Sequence, residues 1–377
     1  MTTHPSSTLL PTEAIRFYCG IGEKSYNHHP VVTGPYACVS PVSGSDIKKV
    51  NSIAIPEGTC VLQDSGTFND ACLLLRGTHR QMAVIAQSRL TLKEALIRQE
   101  QHAKHFNYEG QIEVRASYDV LIDETWAENA TGLSRTKKRW SETDADLAVE
   151  ETVAAASYLN RHRNGIACVM SAQGVSPKQY LACTERILRY MRPGDVLGLG
   201  GWCILGLRRS LLPVFRQTMR LVIPLLKREG VSRVHIWGVC FAEALGELLW
   251  LCDHGEEGNL DAQHRIHLST DSVGPSTRPV KKDRETGYAT WGYASWYNNH
   301  YPVPPILASC KAKDEHGNKA PICPPETRCR GLERARHVVQ TRDWLANFRT
   351  REPRLYRASC YQESWLETPT DEREGVW

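Results

Sequence analysis

Short apolar runs alternate along this chain with longer amphipathic stretches, and that alternation limits its possible folds more than any other feature. The runs "RFYCG" (16–20), "CVLQD" (60–64), "YDVLID" (118–123), "IACVMS" (166–171), "VLGLG" (196–200), "RVHIWGV" (233–239) and "IHLST" (266–270) read as strands. Between them, 91–106, 144–162, 176–191, 211–229 and 242–251 carry helical periodicity, and Ser176-Pro177 reads as an N-cap followed by proline at the first helical position. Strands recurring at roughly 30–55 residues with helices between them predict parallel β/α units. Seven such strands favour a closed α/β barrel of the (β/α)8 type over an open sheet, with "PPILA" (304–308) as the expected eighth strand. The expected organisation is a barrel over 1–309, a Cys/His segment with a final helix packing on the barrel over 310–350, and a peripheral tail over 351–377.

A chain of 377 residues, 41% of them hydrophobic, can bury a large core. Its net charge of +4 permits contact with a polyanion without requiring it. The 13 cysteines are odd in number, and several, such as Cys19, Cys38, Cys72, Cys168, Cys203 and Cys240, lie within or beside apolar runs where a free thiol acts as a small hydrophobe. No secretory leader pattern opens "MTTHPSSTLLPTEAIR", and no apolar run approaches the length of a membrane span. The expectation is a reduced, cytoplasmic protein without membrane contact, whose cysteines bind metal if they do chemistry at all.

In a barrel of this type the C-terminal strand ends build the active site. Asp64, Asp123, Gln173, Gly200, Trp237 and Asp271 each fall at or just after the last apolar residue of an expected strand. Polar, glycine and aromatic residues therefore converge on one mouth. Taken singly, each has an ordinary reading. Asp64-Ser65-Gly66 and Asp271-Ser272 are common turn sequences, Asp123 suits a helix N-cap, and Trp237, Tyr18 and Phe68 suit a core.

The same strand ends carry a family resemblance. "QDSGTF" resembles the DSGG(F/Y) motif of the tRNA-guanine transglycosylase superfamily, "LIDETW" its FDE segment, and "SAQGVS" its VQGG turn. "GLGGWC" is similar to its GLAVGE loop, "HIWGVC" to its LMGVG strand, and "STDSVGPS" to the FDCVxPTR segment that holds the nucleophile. All six follow the family order across roughly residues 16–340. The N-terminal "FYCGIGEKSYNHHP", the T-D-S form of the nucleophile segment and the single glycine of "DSGTF" look more like the divergent relatives that place a 7-deazaguanine base into DNA.

The resemblance implies a transferase that exchanges guanine in DNA for a 7-deazaguanine such as preQ0. Asp271 would be the nucleophile that forms a glycosyl ester and Asp64 the general acid/base, in the manner of paired carboxylates at a glycosidic bond. It implies a base-binding set of Asp123, Gln173, Gly174, Gly200, Gly201, Trp237 and Ser65. The carboxylate would take a purine N1–H and 2-amino group, the amide would read the O6 edge, and the indole would stack. The target guanine would be single-stranded or flipped. The alternatives are tRNA as acceptor, or a non-catalytic nucleic-acid-binding barrel. "GLGG" with no lysine nearby is a poor phosphate loop, which sets aside nucleotide binding.

Cys310, Cys323, Cys329 and His337 form a three-thiol, one-imidazole set suited to tetrahedral Zn²⁺, with His316 a competing ligand. Their C-x12-C-x5-C-x7-H spacing departs from the C-x-C-x2-C of the family. Such a zinc would brace the region after the barrel. The basic clusters "RTKKRW" (135–140), "KKDR" (281–284) and "RLYR" (354–357) suit phosphate contact or plain solvated surface. His28-His29 suits a relay, a metal pair or a loop with no role.

Overall fold

The structure is a computed structural model that describes residues 13–21, 33–41, 53, 55–68, 70, 89–122, 141–203, 211–239, 241–255, 258–259, 264–272 and 330–358. Eight parallel strands close a barrel: β1 (Arg16–Ile21), β2 (Tyr36–Val39), β3 (Cys60–Gln63), β4 (Ile112–Ala116), β5 (Ala167–Ala172), β6 (Val196–Leu199), β7 (Arg233–Ile236) and β8 (His267–Ser272). Around the ring the order is β1-β8-β7-β6-β5-β4-β3-β2, and β1 closes it by pairing Tyr18 with Asp271 on one side and Gly20 with Cys38 on the other. Helices α1 (Leu92–His105), α2 (Glu142–Arg161), α3 (Pro177–Leu188), α4 (Leu212–Arg228) and α5 (Ala242–Asp253) alternate with the strands from β3 onward. The expected (β/α)8 class therefore holds.

Two strands differ from the sequence expectation. The fourth is Ile112–Ala116, and residues 118–122 of the expected run lie beyond the strand. Glu113 and Arg115 break the apolar pattern there, because Glu113 enters an ion cluster in the barrel and the Arg115 Nε donates to Gln63 at 2.7 Å. The eighth member of the ring is Tyr36–Val39, between β1 and β3, and β8 pairs directly with β1 where "PPILA" was expected; residues 304–308 lie outside the described residues. A four-residue strand without an amphipathic stretch after it leaves little periodicity to read.

Apolar layers inside and outside the ring hold it together. Tyr18, Tyr36, Cys38, Leu62, Val114, Ala116, Val169 and Val196 fill the lumen, while a larger cluster including Trp202, Phe215, Leu245 and Leu248 packs between strands and helices. Helix starts follow capping chemistry. Thr91 and Glu94 form a reciprocal capping box on α1, and Ser176 caps α3 with Pro177 behind it. After β8 the next described element is α6 (Arg330–Ala346), which packs against β1 where Ala14 N–H donates to the Ala346 carbonyl at 2.8 Å. Two short helices, α7 (Phe348–Arg351) and α8 (Pro353–Ala358), follow. Arg349 and Tyr356 bond the buried Asp253 at the end of α5, at 2.7 and 2.8 Å, so the first part of the expected tail is docked.

The end of the lumen opposite the mouth is polar. Glu113 accepts from Arg16 at 3.1 Å, from the Tyr18 hydroxyl at 3.0 Å and from Arg233 on β7. Burial pushes the Glu113 carboxyl up, but Arg233 and Arg16 outweigh it and hold the group below the usual carboxylate range. The Arg16 guanidinium also lies over the Tyr36 ring, 4.1 Å from its centroid.

On the outer side of β3, His102 of α1 is fully buried with its Nδ1 2.7 Å from the Tyr108 hydroxyl and no partner for Nε2 among the described residues. Burial, helped by His105 and Arg98, pushes its pKa down to about 4. The unfolded imidazole takes a proton near pH 6.5, so between about 6.5 and 4 the unfolded state binds more protons and stability falls as pH falls. Urea unfolding at pH 7.5 and 5 is expected to show the wild type losing about 2 kcal/mol more than His102→Gln over that interval. Equal losses in the two proteins would contradict this account of His102.

Candidate active site

The strand ends deliver three carboxylates to one mouth. Asp64 follows β3, and its N–H donates to the Val39 carbonyl at 2.9 Å, extending the β2–β3 ladder by one rung. Its Oδ1 accepts the Ser65 amide at 2.6 Å, and its Oδ2 accepts the hydroxyl of Ser40, the residue after β2. Burial raises the Asp64 carboxyl; the Ser40 hydrogen bond opposes that shift, and the neighbouring Asp271 adds to it. A carboxyl raised in this way is suited to carrying a proton.

Asp271 stands at the end of β8. Its Oδ1 accepts the Gly238 amide at 2.8 Å and faces the His235 Nε2 at 3.1 Å. The Cys38 thiol of β2 lies close enough to both carboxylates to feel their charge. Its own burial, then Asp271 and Asp64, push it well up, so it is a protonated donor toward Asp271. Trp237 leaves β7 with its Nε1 donating to Ser171 at 2.9 Å and its ring 4.4 Å from His235, centroid to centroid. Side chains approach the β6 backbone so closely that no Cβ fits. At Gly198 it would stand 2.7 Å from both the Ser171 Oγ and the Trp237 Nε1, and at Gly200 it would meet the Gln173 amide.

The third carboxylate is Asp119, three residues beyond β4 and buried. Its Oδ2 accepts the Gln173 Nε2 at 2.7 Å. Burial pushes its carboxyl up, against the Gln173 hydrogen bond. Gln173 keeps its Oε1 buried with no partner among the described residues. An unmet acceptor beside a carboxylate suits a ligand edge rich in N–H groups. Helix α1 braces both turns. Gln99 donates to the carbonyls of Asp64 and Ala116 at 3.0 Å each, and Arg98 bonds the Ser65 carbonyl at 2.6 Å while gripping Asp70 with its other nitrogen. Arg89 holds the Tyr118 carbonyl at 3.0 Å and that of Asp119.

Asp64, Gln173, Gly200, Trp237 and Asp271 thus meet at one mouth, as their positions predict. Ser65 contributes its amide to Asp64, while its hydroxyl pairs with Thr67 at 2.9 Å. Gly174 packs under the first turn of α3, where a Cβ would stand 2.7 Å from the Tyr180 nitrogen. Gly201, in the turn after β6, has a φ of 82°. Tyr18 is core, whereas Phe68 is 46% exposed beside the Asp64 turn, contrary to the core role expected for it. Asp123, Cys310, Cys323, Cys329 and His316, the clusters 135–140 and 281–284, and His28-His29 lie outside the described residues; His337 lies in α6 with its side chain undescribed. "RLYR" lies in and around α8 on α5, toward the end of the barrel opposite the mouth.

Four site residues were not anticipated: Asp119, Ser40, His235 and Cys38. Asp119 was hidden inside the expected strand 118–123, and the end of "IEVRA" two residues before Tyr118 was the signal for it. His235 alternates with Trp237 on β7, so a strict period of two would have aimed both into the lumen. Among the described residues no cluster of His, Cys, Asp or Glu could hold a metal ion, and no helix is long and apolar enough to cross a membrane. No protein-family model matches the chain, and no curated protein matches it.

Proposed function

We propose that the protein is a base-exchanging guanine transglycosylase that replaces guanine in DNA with a 7-deazaguanine of the preQ0 type. The observation that carries this reading is the pairing at one barrel mouth of two carboxylates in different environments. Asp271 has one oxygen held by the Gly238 amide and facing His235, and Asp64 is raised toward the protonated form. Beside them the Asp119–Gln173 pair suits the N1–H and 2-amino edge of a guanine, and Trp237 and Phe68 supply π faces at the same mouth. In this reading Asp119 takes the base-binding role that the sequence motif suggested for Asp123.

The Asp271 carboxylate attacks C1′ of the target nucleoside. The C1′–N9 bond breaks, its electron pair leaves with guanine, and Asp64 supplies the proton. The incoming deazapurine then gives its proton to Asp64 and displaces Asp271 from C1′. A structural zinc on Cys310, Cys323, Cys329 and His337 belongs to the same reading and takes part in no step.

Incubation of the chain with guanine-labelled DNA or tRNA and free preQ0 tests the proposal. Label release from DNA with uptake of preQ0 is the expected result. Release from tRNA alone would move the acceptor to tRNA. Release from neither would favour a binding barrel without catalysis.

A further inference from the structure

We infer that His235 is a positioning residue that holds Asp271 by one oxygen and drives the release of the covalent intermediate. This rests on the transglycosylase reading of the site. His235 is fully buried in the lumen, in a row where Gly198 of β6, His235 of β7 and Ser269 of β8 stand in register. Its Nε2 lies 3.1 Å from the Asp271 Oδ1, and its Nδ1 lies 3.0 Å from the Ser269 Oγ. The same Oδ1 accepts the Gly238 amide, so it acts as a carboxylate oxygen and the proton between the pair sits on Nε2. Ser269 serves Nδ1 in either protonation state. It donates to a neutral imidazole, or accepts from an imidazolium while its own hydroxyl turns to the Val234 carbonyl at 3.1 Å. The rings of Tyr18 and Trp237, at 5.8 and 4.4 Å, flank the imidazole and hold its orientation.

The His235 and Gly238 donors both act on Oδ1, which favours Oδ2 for attack. In the glycosyl ester Oδ2 is bonded to C1′ and Oδ1 is a neutral carbonyl oxygen. When the incoming base nitrogen bonds to C1′, the C1′–Oδ2 bond breaks and its electron pair returns to the carboxylate. The charge then spreads onto Oδ1, where the His235 and Gly238 protons await it. Hydrogen bonds to a charged oxygen are stronger than those to a neutral one. Removing the His235 donor therefore slows resolution of the intermediate relative to its formation.

The test follows both half-reactions on the full chain with guanine-labelled DNA. Formation is read from guanine release and resolution from loss of the protein–DNA adduct on adding preQ0. For His235→Phe the ratio of resolution rate to formation rate is expected to fall roughly 10- to 100-fold. His235→Gln, which keeps an N–H near the Nε2 position, is expected to recover much of the loss. Ser269→Ala, which frees the imidazole at Nδ1, is expected to fall between them. An unchanged ratio, or equal slowing of both halves in all three variants, would overturn the inference. In the resting wild-type protein labelled with ¹⁵N-histidine, a deshielded Nε2–H proton is expected that disappears in Asp271→Ala. A His235 proton found on Nδ1 alone would overturn the positioning role whether or not any base is exchanged. Absence of any adduct in the wild type, with that resonance present, would count against the transglycosylase reading and leave the contact standing.

Discussion

Asp271→Asn is expected to abolish base exchange and covalent capture of nucleic acid together, with a loss of roughly 10⁴- to 10⁶-fold. The substitution is nearly isosteric. The amide oxygen still accepts the Gly238 N–H and the His235 Nε2, which bond Oδ1 in the native site. What changes is the other atom, where a nitrogen without nucleophilic character replaces Oδ2. Because the pinned half of the group is preserved, thermal stability should move by no more than a degree or two while chemistry disappears. Asp64→Asn should behave differently, since a proton donor and acceptor is lost while the nucleophile remains. Its expected deficit is smaller, about 10²- to 10⁴-fold. Near wild-type exchange by the Asp271→Asn chain would remove Asp271 from the covalent step.

The second large effect is on stability and concerns the opposite end of the lumen. Glu113→Ala leaves the guanidinium groups of Arg16 and Arg233 and the Tyr18 hydroxyl without their shared acceptor. Breaking a buried ion pair on one side costs about 3–5 kcal/mol, because the remaining charge stays desolvated. For a chain of this size that corresponds to a fall of roughly 4–6 °C in the thermal midpoint. Glu113→Gln should lose less, since its amide oxygen still accepts one of the arginines. Urea unfolding checks both. A Glu113→Ala protein within 0.5 kcal/mol of the wild type, a shift at the level of an ordinary surface change, would contradict a structural role for the cluster.

Most of the scaffold could be read before the structure, because strands in a parallel barrel are buried on both faces and stand out as apolar runs. Six of the seven expected strands and all five expected helices appear within a few residues of their anticipated ends. The failures share a cause. β4 carries Glu113 and Arg115, whose charges are satisfied by partners distant in sequence, and single-sequence periodicity cannot see those partners. β2 is four residues long and has no helix pattern behind it. The different position of β4 hid Asp119, which lies three residues beyond the strand and not at the end of an apolar run. Asp64 and Asp271 were visible because one follows and the other ends an uninterrupted strand. Their hydrogen-bond partners, Ser40 and His235, were not visible because each comes from a different β/α unit.

In the proposed reaction Asp271 becomes covalently linked to the sugar of the target nucleotide. Acid-quenching the chain during turnover with DNA, digesting both polymers and mapping the modified peptide by mass spectrometry tests it most directly. The account predicts a sugar-phosphate adduct on Asp271, within the β8 end sequence "STDS", that vanishes when preQ0 is added before the quench. An adduct on Asp64 or Asp119, or sustained base exchange with no adduct on Asp271, would contradict it.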